Sequence, residues 1–345
     1  MPDRLDEVVM TGSMLAKMNT AKVEKIEIRI GGKTLFAPSV DVCGRTVVVT
    51  GGWLRMAAVN DEELVEEQIV ENPIEFIQQL KKTRLRADIF TFAQKLPEIT
   101  PKYHYDFEWD NSAVIPITCF SDWWEKRLSQ ETRKNVRRAA KRGVVVRPVQ
   151  FSDELVKGIH EIYNESRVRQ GVPFRHFGKD FETVKHEMST YLDRSEFHGA
   201  YLDEELIGFT KMVYVDRIGS MIHIISKMEH QDKRPMNALV ANAVKVCESK
   251  SLQFLVYCKY VYFGNTNSSL TEFKRRNGFE EIRFPRYYLP LSAKGALAIK
   301  SGLHRGLQNL VPVPMRKILR DLRSRYYRIR SGSSEVLRDT VGLAE

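Results

Sequence analysis

The chain has 345 residues, of which 43% are hydrophobic and 28% charged, a composition typical of a folded globular protein. Its net charge of +10 is unevenly placed, because residues 294–330 carry +9 and residues 331–345 carry −2. The rest of the chain carries only +3, which argues against a domain that coats nucleic acid with a basic surface. The length predicts about two domains, each large enough for its own core.

Cysteine use and hydropathy narrow the class further. The four cysteines show no C-x-x-C spacing, which argues against a disulfide framework or a structural zinc site, and the eight histidines form no metal-binding motif. No apolar run approaches about 18 residues, so we expect no transmembrane helix. Residues 1–21 mix charged and apolar side chains and lack the core of a signal peptide. We therefore expect a cytoplasmic protein.

The first hundred residues predict a β-β-β-α-β order. Alternating or β-branched runs predict strands, and apolar residues at helical spacing from Asp61 to Leu80 predict a helix that is broken at Asn72-Pro73. Leu96–Asp110 contains two prolines and is predicted as a linker. The predicted strands are Val23–Ile30, Lys33–Pro38, Arg45–Thr50 and Ala87–Ala93.

From residue 113 to residue 291 the predicted order is β-α-β-α-α-β-β-β-α-β-α-β. The predicted strands are Ala113–Thr118, Val144–Val149, Phe197–Leu202, Leu206–Val215, Gly219–Ser226, Leu252–Tyr257 and Glu281–Leu291. The predicted helices are Asp122–Arg142, Asp153–Arg169, one that ends near Asp193, Met236–Lys250 and Ser268–Arg276.

The last part of this order, a hairpin followed by strand, loop, helix, strand, helix and strand, is similar to the acyl-CoA-binding half of the GNAT acyltransferase superfamily. The hairpin at 199–208 resembles that superfamily's central antiparallel pair. Four further features resemble its Fem-like branch, which adds amino acids from aminoacyl-tRNA to cell-wall precursors. They are Trp123-Trp124, the run 129–143, Phe273-Lys274 before Gly278-Phe279, and Pro285-Arg286-Tyr287.

The resemblance implies an α/β (α+β) fold, a GNAT-like mixed sheet flanked by helices. It implies a tandem arrangement, with a degenerate GNAT-like domain at 20–110 and an acyltransferase domain at 113–291. A basic amphipathic helical segment at 293–330 follows these two domains.

The phosphate-binding loop of GNAT proteins is rich in glycine, because glycine lets backbone N–H groups approach a pyrophosphate at a helix N-terminus. At the matching place this chain has the segment 230–238, which contains no glycine. Lys233, Arg234 and Asn237 are the residues there that would bind the donor. The resemblance implies that an acyl-CoA such as acetyl-CoA, or an aminoacyl-tRNA, is the donor substrate, with no permanently bound cofactor. A plain strand-to-helix turn with solvated bases is the alternative.

In GNAT folds the donor lies where two neighbouring strands separate, here 219–226 and 252–257. We expect Tyr262 to protonate the leaving group and Glu229 to accept the acceptor's proton. The Fem-like resemblance implies that Lys274 points into the cleft and neutralises an anionic donor or acceptor. Ser226 and Asn265 would contact the donor. The alternatives are that the tyrosine is a packing residue and that Lys274 is a solvated helix residue.

Residues 171–178 combine two glycines with aromatic and basic side chains, which is typical of an adaptable substrate loop. We expect Phe174, Arg175 and His176 to bind substrate; a surface loop that packs its phenylalanines into the core is the alternative. The cations of the helix at 122–142 would attract an anionic substrate such as tRNA or a nucleotide- or lipid-linked precursor.

Apolar residues at helical spacing and seven basic residues share the segment 315–330. This pattern predicts a basic amphipathic helix on an anionic membrane surface, at the inner face of the membrane. Docking on the parent domain and contact with tRNA are the alternatives.

The leading hypothesis is a GNAT/Fem-like acyltransferase that forms an amide or ester on an envelope or polysaccharide precursor. A non-catalytic GNAT-like binding module is the second hypothesis, and a peripheral membrane or nucleic-acid adaptor is the third.

Overall fold

The computed structural model describes residues 22–30, 33–63, 69–262 and 264–305. Within these ranges, one mixed sheet of twelve strands forms the body of the protein, and a two-stranded ribbon accompanies it. The strands are β1 (Glu24–Ile30), β2 (Lys33–Val42), β3 (Arg45–Thr50), β4 (Met56–Val59), β5 (Ile89–Ala93), β6 (Asp106–Pro116), β7 (Val144–Val149), β8 (Val168–Arg169), β9 (Val172–Pro173), β10 (Ser195–Leu202), β11 (Glu205–Val215), β12 (Ile218–Ser226), β13 (Phe254–Val256) and β14 (Glu280–Pro290).

Helices cover the sheet, and several begin at a side-chain cap that the sequence supplies. Ser152, Asp180 and Ser268 each accept a hydrogen bond from the backbone N–H three residues later, which satisfies a donor that the helix leaves open. The helices are α1 (Pro73–Lys82), α2 (Phe120–Asp122), α3 (Gln130–Lys141), α4 (Asp153–Asn164), α5 (Phe181–Met188), α6 (Pro235–Ser249), α7 (Ser269–Arg276) and α8 (Ala293–Lys300).

The order of the large sheet is β1-β2-β3-β4-β5-β14-β6-β13-β12-β11-β10-β7. On each side of its centre the sheet contains a pair of parallel strands that are joined through a helix. Strands β4 and β5 are parallel and joined through α1, and strands β12 and β13 are parallel and joined through α6. The final strand of each half is exchanged, because β14 lies between β5 and β6, while β6 lies between β14 and β13. We call β1–β6 the first half and β7–β14 the second half.

One apolar cluster lies around α1 and another around α6. One packs α1 against β5 and β14 through Phe76, Phe90 and Tyr287. Another packs α6 against β11 and β12 through Leu239, Met212 and Ile224. A further cluster fixes α4 and α5 to the second half. The continuous backbone ladder of β5, β14, β6 and β13 joins the halves.

The fold class expected from the sequence is confirmed: a large mixed sheet is flanked by helices, and the first half is a reduced copy of the second. Several local predictions were wrong. The expected linker Leu96–Asp110 becomes strand at residue 106, where β6 pairs with β14. The expected helix Asp153–Arg169 ends at residue 164, because Val168–Arg169 pairs with Val172–Pro173. Strand β4 was not predicted, because it is only four residues long.

The expected continuous helix 122–142 is interrupted at Leu128. A wide helical turn over Trp123–Arg127 ends there in extended backbone. The Ser129 hydroxyl then accepts from the Thr132 N–H at 3.2 Å and begins α3. A serine cap in the middle of a cationic stretch therefore marks a second helix start.

No helix in the described ranges is long and apolar enough to cross a bilayer. The segment 315–330 lies outside the described residues, and the division of the chain into 20–110, 113–291 and 293–330 stays a prediction.

Candidate active site

The candidate site lies where β12 and β13 separate. The two strands pair only over Ile218–Ser220 and Phe254–Val256. Beyond this point β12 continues to Ser226 along β11, whereas the chain after β13 follows β6. The N–H of Tyr257 donates to the Ala113 carbonyl at 2.8 Å, and Cys258 accepts from the Ala113 N–H at 2.8 Å. The result is a gap that opens between two neighbouring strands.

A buried lysine lies beside this gap. Lys274 projects from α7, is fully buried, and donates from Nζ to the carbonyls of Tyr257 at 2.9 Å and Lys259 at 2.5 Å. Its ammonium also lies 4.3 Å from the ring centroid of Tyr257 and 5.2 Å from that of Tyr262. Carbonyl dipoles and ring faces therefore hold the charge at the point where the donor is expected.

The segment that carries Tyr262 is held by β6. The Asn111 side chain accepts from the Val261 N–H at 2.8 Å and donates to the Val261 carbonyl at 3.3 Å. Lys259 pairs with Asp110 at 3.2 Å and with Glu63 at 3.0 Å. Glu63 belongs to the turn after β4, so the first half contributes a half-exposed carboxylate beside this segment.

Burial sets the protonation states near the gap. Burial raises the pKa values of the Tyr257 and Tyr262 phenols, with neighbouring Cys258 adding to the effect, so both phenols keep their protons at neutral pH. Burial lowers the pKa of Lys274 to about 8. A protonated phenol and a lysine that titrates near neutrality suit proton donation and anion binding, respectively.

The loop at 170–178 is anchored to the second half rather than free-standing. The Phe174 ring packs 6.1 Å from that of Tyr163, and the buried His176 ring lies 4.3 Å from the same tyrosine. Asn164 accepts from the Gly178 N–H at 2.8 Å. Arg175 lies between the two packed rings in sequence and is exposed. Of the three predicted substrate-binding residues only Arg175 is exposed, and its Nε donates to His176 Nε2 at 3.2 Å.

Two histidines next to this loop are uncharged at neutral pH. Burial, followed by the charges of Lys179 and Arg175, lowers the pKa of His176 to about 2. Burial, with Lys211 and Arg175 adding to the effect, lowers the pKa of His223 to about 3. Their rings lie 6.4 Å apart.

Most backbone N–H groups of the loop after β12 already donate hydrogen bonds within the protein. The N–H groups of Met228 and Glu229 donate to Glu165, and those of Gln231, Lys233 and Arg234 donate to carbonyls within the loop. Arg234 adopts a left-handed conformation with φ of 62°, which takes the place of a glycine turn before α6. Few backbone donors therefore remain for a pyrophosphate.

The predicted donor-binding residues are spread over three places. Lys233 Nζ lies 3.2 Å from His230 Nδ1, and the Arg234 Nε is buried without a hydrogen-bond partner among the described residues. Asn237 donates to Asn277 Oδ1 at 2.9 Å and thus ties α6 to the end of α7. Ser226 is buried at the end of β12, and the Asn265 N–H donates to the Tyr262 carbonyl at 3.0 Å.

The two predicted proton-transfer residues belong to different clusters. Tyr262 lies with Lys274 and Tyr257 after β13, whereas Glu229 is exposed after β12 and pairs with His230 at 3.2 Å. The ligand atoms of Glu229, His230 and Glu205 lie within 4.8 Å of one another, but Glu205 is already paired with Lys227.

Sequence reasoning missed Glu63, Glu165 and Arg169. Each reaches its place through a contact with a distant part of the chain, and no local motif marks it. Two surface pockets, of about 660 Å³ beside α1 and about 520 Å³ beside β7, do not include the gap residues. The candidate site is therefore identified by the separation of β12 and β13 and by the chemistry of Lys274 and Tyr262, and not by the volume of a pocket.

Comparison with family models and with curated protein sequences found no match. Solved structures do match. The C-terminal domain of a protein described as a lysylphosphatidylglycerol synthetase from Agrobacterium fabrum is 12% identical, with 77% of this chain and 88% of that one covered and a TM-score of 0.50. FemX is 12% identical (82% and 90% covered, TM-score 0.48), and a tandem GNAT protein of the clavulanic acid pathway is 11% identical (79% and 84%, TM-score 0.40).

At such identities a match shows the fold alone. The lysylphosphatidylglycerol synthetase domain shares the fold of this chain, a large mixed sheet flanked by helices, which agrees with the GNAT-like sheet that the sequence resemblance implied.

Proposed function

We propose that the protein is a Fem-like GNAT transferase that moves an aminoacyl or acyl group from an activated donor to an amine or hydroxyl. The acceptor is proposed to be an envelope or polysaccharide precursor. The observation that carries this proposal is the gap between β12 and β13, with the buried Lys274 and the protonated Tyr262 beside it. Fold alone does not define an activity, so the argument rests on these side chains.

We further propose an aminoacyl-tRNA as the donor in preference to an acyl-CoA. The loop after β12 lacks glycine, and five of its N–H groups already donate within the protein. A diphosphate at this loop would have to replace those contacts. The ester of an aminoacyl-tRNA needs no diphosphate-binding loop, and the cationic α3 offers a surface for the phosphates of an RNA.

The proposed transfer needs no net proton. The acceptor nitrogen or oxygen attacks the ester carbon of the donor, a C–N or C–O bond forms, and the bond from that carbon to the ribose oxygen breaks. The acceptor loses one proton and the ribose oxygen gains one. The Tyr262 phenol can donate to the leaving oxygen and then be reprotonated from the acceptor.

Three further side chains support this chemistry. The Lys274 ammonium favours negative charge on the carbonyl oxygen in the transition state. The exposed Arg175 is suited to a phosphate of either substrate. Glu63, which lies beside Lys259, is suited to an acceptor ammonium group. The site then combines residues from both halves.

Attachment to an anionic membrane surface through 315–330 stays part of the proposal. It is tested by sedimentation of the full chain, and of a chain that ends at residue 305, with vesicles containing anionic lipid. Equal sedimentation of both would contradict it.

The transferase proposal is tested with the full chain and radiolabelled donors. Loss of label from a mixture of aminoacyl-tRNAs, dependent on an added amine or hydroxyl acceptor, is expected. Acetyl-CoA should not be consumed. If neither donor type is consumed or bound, the second candidate function, a non-catalytic binding module, gains support. The loop after β12, most of whose N–H groups already donate within the protein, is the observation that favours that candidate.

A further inference from the structure

Glu165 occupies a backbone site that is built for an anion. This residue lies directly after α4, and its side chain is 17% exposed. Its carboxylate accepts from the N–H of Met228 at 2.7 Å and from that of Glu229 at 3.0 Å. Two consecutive N–H groups that converge on one anionic group form the kind of concave site that binds phosphate oxygens in other proteins.

The position of Glu165 is unfavourable for its own helix. A helix C-terminus carries partial negative charge, so a carboxylate there is repelled by the last carbonyls. Contacts outside the helix must therefore compensate. The two N–H groups at the end of β12 and the guanidinium of Arg169 provide this compensation, the latter at 3.2 Å.

Arg169 holds the site together. One terminal nitrogen donates to the Ser226 carbonyl at 2.8 Å, and the other donates to the Ile162 carbonyl at 2.7 Å and to Glu165. Its Nε is buried and has no hydrogen-bond partner among the described residues. The Phe174 ring lies 4.2 Å below the guanidinium. The cation is thus fixed next to the two N–H groups, whichever anion occupies them.

We propose that Glu165 is a specificity-determining residue: its carboxylate fills the anion site at the end of β12 and so excludes donors that carry a diphosphate. The proposal narrows the donor class of the transferase and rests on the proposed function. This proposal explains why the loop after β12 contains no glycine, because the Glu165 side chain takes the position that a ligand oxygen would otherwise take.

The test measures binding of two probes, inorganic pyrophosphate and coenzyme A, to the full chain by isothermal titration calorimetry. Glu165→Ala vacates the site, and Glu165→Gln keeps its size without the charge. Glu161→Ala, an exposed position one turn earlier in α4, is the matched control. We expect at least tenfold tighter binding of pyrophosphate to Glu165→Ala than to the wild type, with Glu161→Ala unchanged and Glu165→Gln in between.

Equal affinity of the wild type and Glu165→Ala for both probes would overturn the proposal. If Glu165→Ala does not fold, Glu165→Gln decides, and no gain over the wild type then counts against the proposal. Binding is measured without turnover. A gain in pyrophosphate affinity in a chain that transfers nothing would therefore uphold the anion site and reject the transferase.

Discussion

The two halves of the sheet each contain a pair of parallel strands that separate, and the two gaps are filled in opposite ways. In the first half, β4 and β5 pair over Met56–Ala58 and Ile89–Thr91. Beyond them the buried Glu62 accepts from the Ala93 N–H at 2.6 Å and pairs with Arg286 at 2.7 Å. In the second half, carbonyls and tyrosine rings surround Lys274.

The comparison shows how a duplicated fold comes to hold one candidate site. In the first gap, Glu62 meets both a backbone donor and a cation, and Arg286 also pairs with Asp110 at 2.8 Å. These opposite charges neutralise one another and join the exchanged strands β6 and β14. In the second gap, no carboxylate among the described residues pairs with Lys274, whose pKa is lowered by burial, and the Tyr262 phenol keeps its proton.

The largest effect is expected from Arg286→Met, which leaves Glu62 and Asp110 buried without their shared cation. Removal of one partner from a buried ion pair costs about 3–5 kcal/mol. Urea unfolding should therefore show a loss of that order in the free energy of unfolding. Arg283→Met, at an exposed position of the same strand, should change it by less than about 0.5 kcal/mol.

A loss of transfer activity in Arg286→Met with no change in stability would break the comparison, because the first gap would then take part in the chemistry.

The next largest effect is expected from Tyr262→Phe. Loss of a general acid lowers the rate of the chemical step by about 100-fold or more, whereas the phenyl ring still packs. The measurement is single-turnover transfer from aminoacyl-tRNA. Tyr260→Phe, two residues earlier in the same segment, is the control and should keep its rate. Equal rates for Tyr262→Phe and the wild type would remove the phenol from the mechanism.

Arg175→Gln is expected to act on binding. A charged hydrogen bond to a phosphate is worth roughly 1.5–3 kcal/mol, so KM should rise about tenfold or more while kcat changes little. The exposed Arg167 offers a matched control, because Arg167→Gln removes an equal charge just before the loop. A decrease of kcat without a change of KM would contradict the binding role.

The smallest effect is a pH dependence of stability that Lys274 contributes. Its pKa is about 8 in the folded protein and ordinarily about 10.5, so the unfolded chain holds more protons between these values and stability rises with pH there. The unfolding free energy of the wild type minus that of Lys274→Met should therefore rise by roughly 1 kcal/mol per pH unit from about pH 8 to 9.5.

Lys211, which is also fully buried with a pKa lowered to about 8, is a useful comparison. Lys211→Met should give a similar slope, because burial alone sets it. A flat difference for Lys274→Met would show that its ammonium is not shielded from water as described.

Much of the second half could be predicted from the sequence. The predicted strands Phe197–Leu202, Leu206–Val215 and Gly219–Ser226 correspond to β10, β11 and β12. The predicted helices Asp153–Arg169 and Ser268–Arg276 begin within one residue of α4 and α7. These features are local, so a short window of sequence contains their cause. The fold class followed from their order together with the resemblance.

The exchange of β6 and β14 could not be predicted in this way, because strand pairing over nearly two hundred residues leaves no local pattern. Glu63 and Glu165 were missed for the same reason. Glu63 of the first half pairs with Lys259 of the second half, and Glu165 after α4 accepts from the Met228 N–H after β12. The continuous helix at 122–142 was wrong because its cationic face hides the break at Leu128.

The central claim is that a donor binds in the gap between β12 and β13 and not in the gap between β4 and β5. Irradiation of the full chain with a photoreactive aminoacyl ester, followed by mass-spectrometric mapping of the adduct, tests it most directly. We predict an adduct within residues 254–262 that excess unlabelled aminoacyl-tRNA suppresses. An equally suppressible adduct within residues 56–63 or 89–94 would contradict the account.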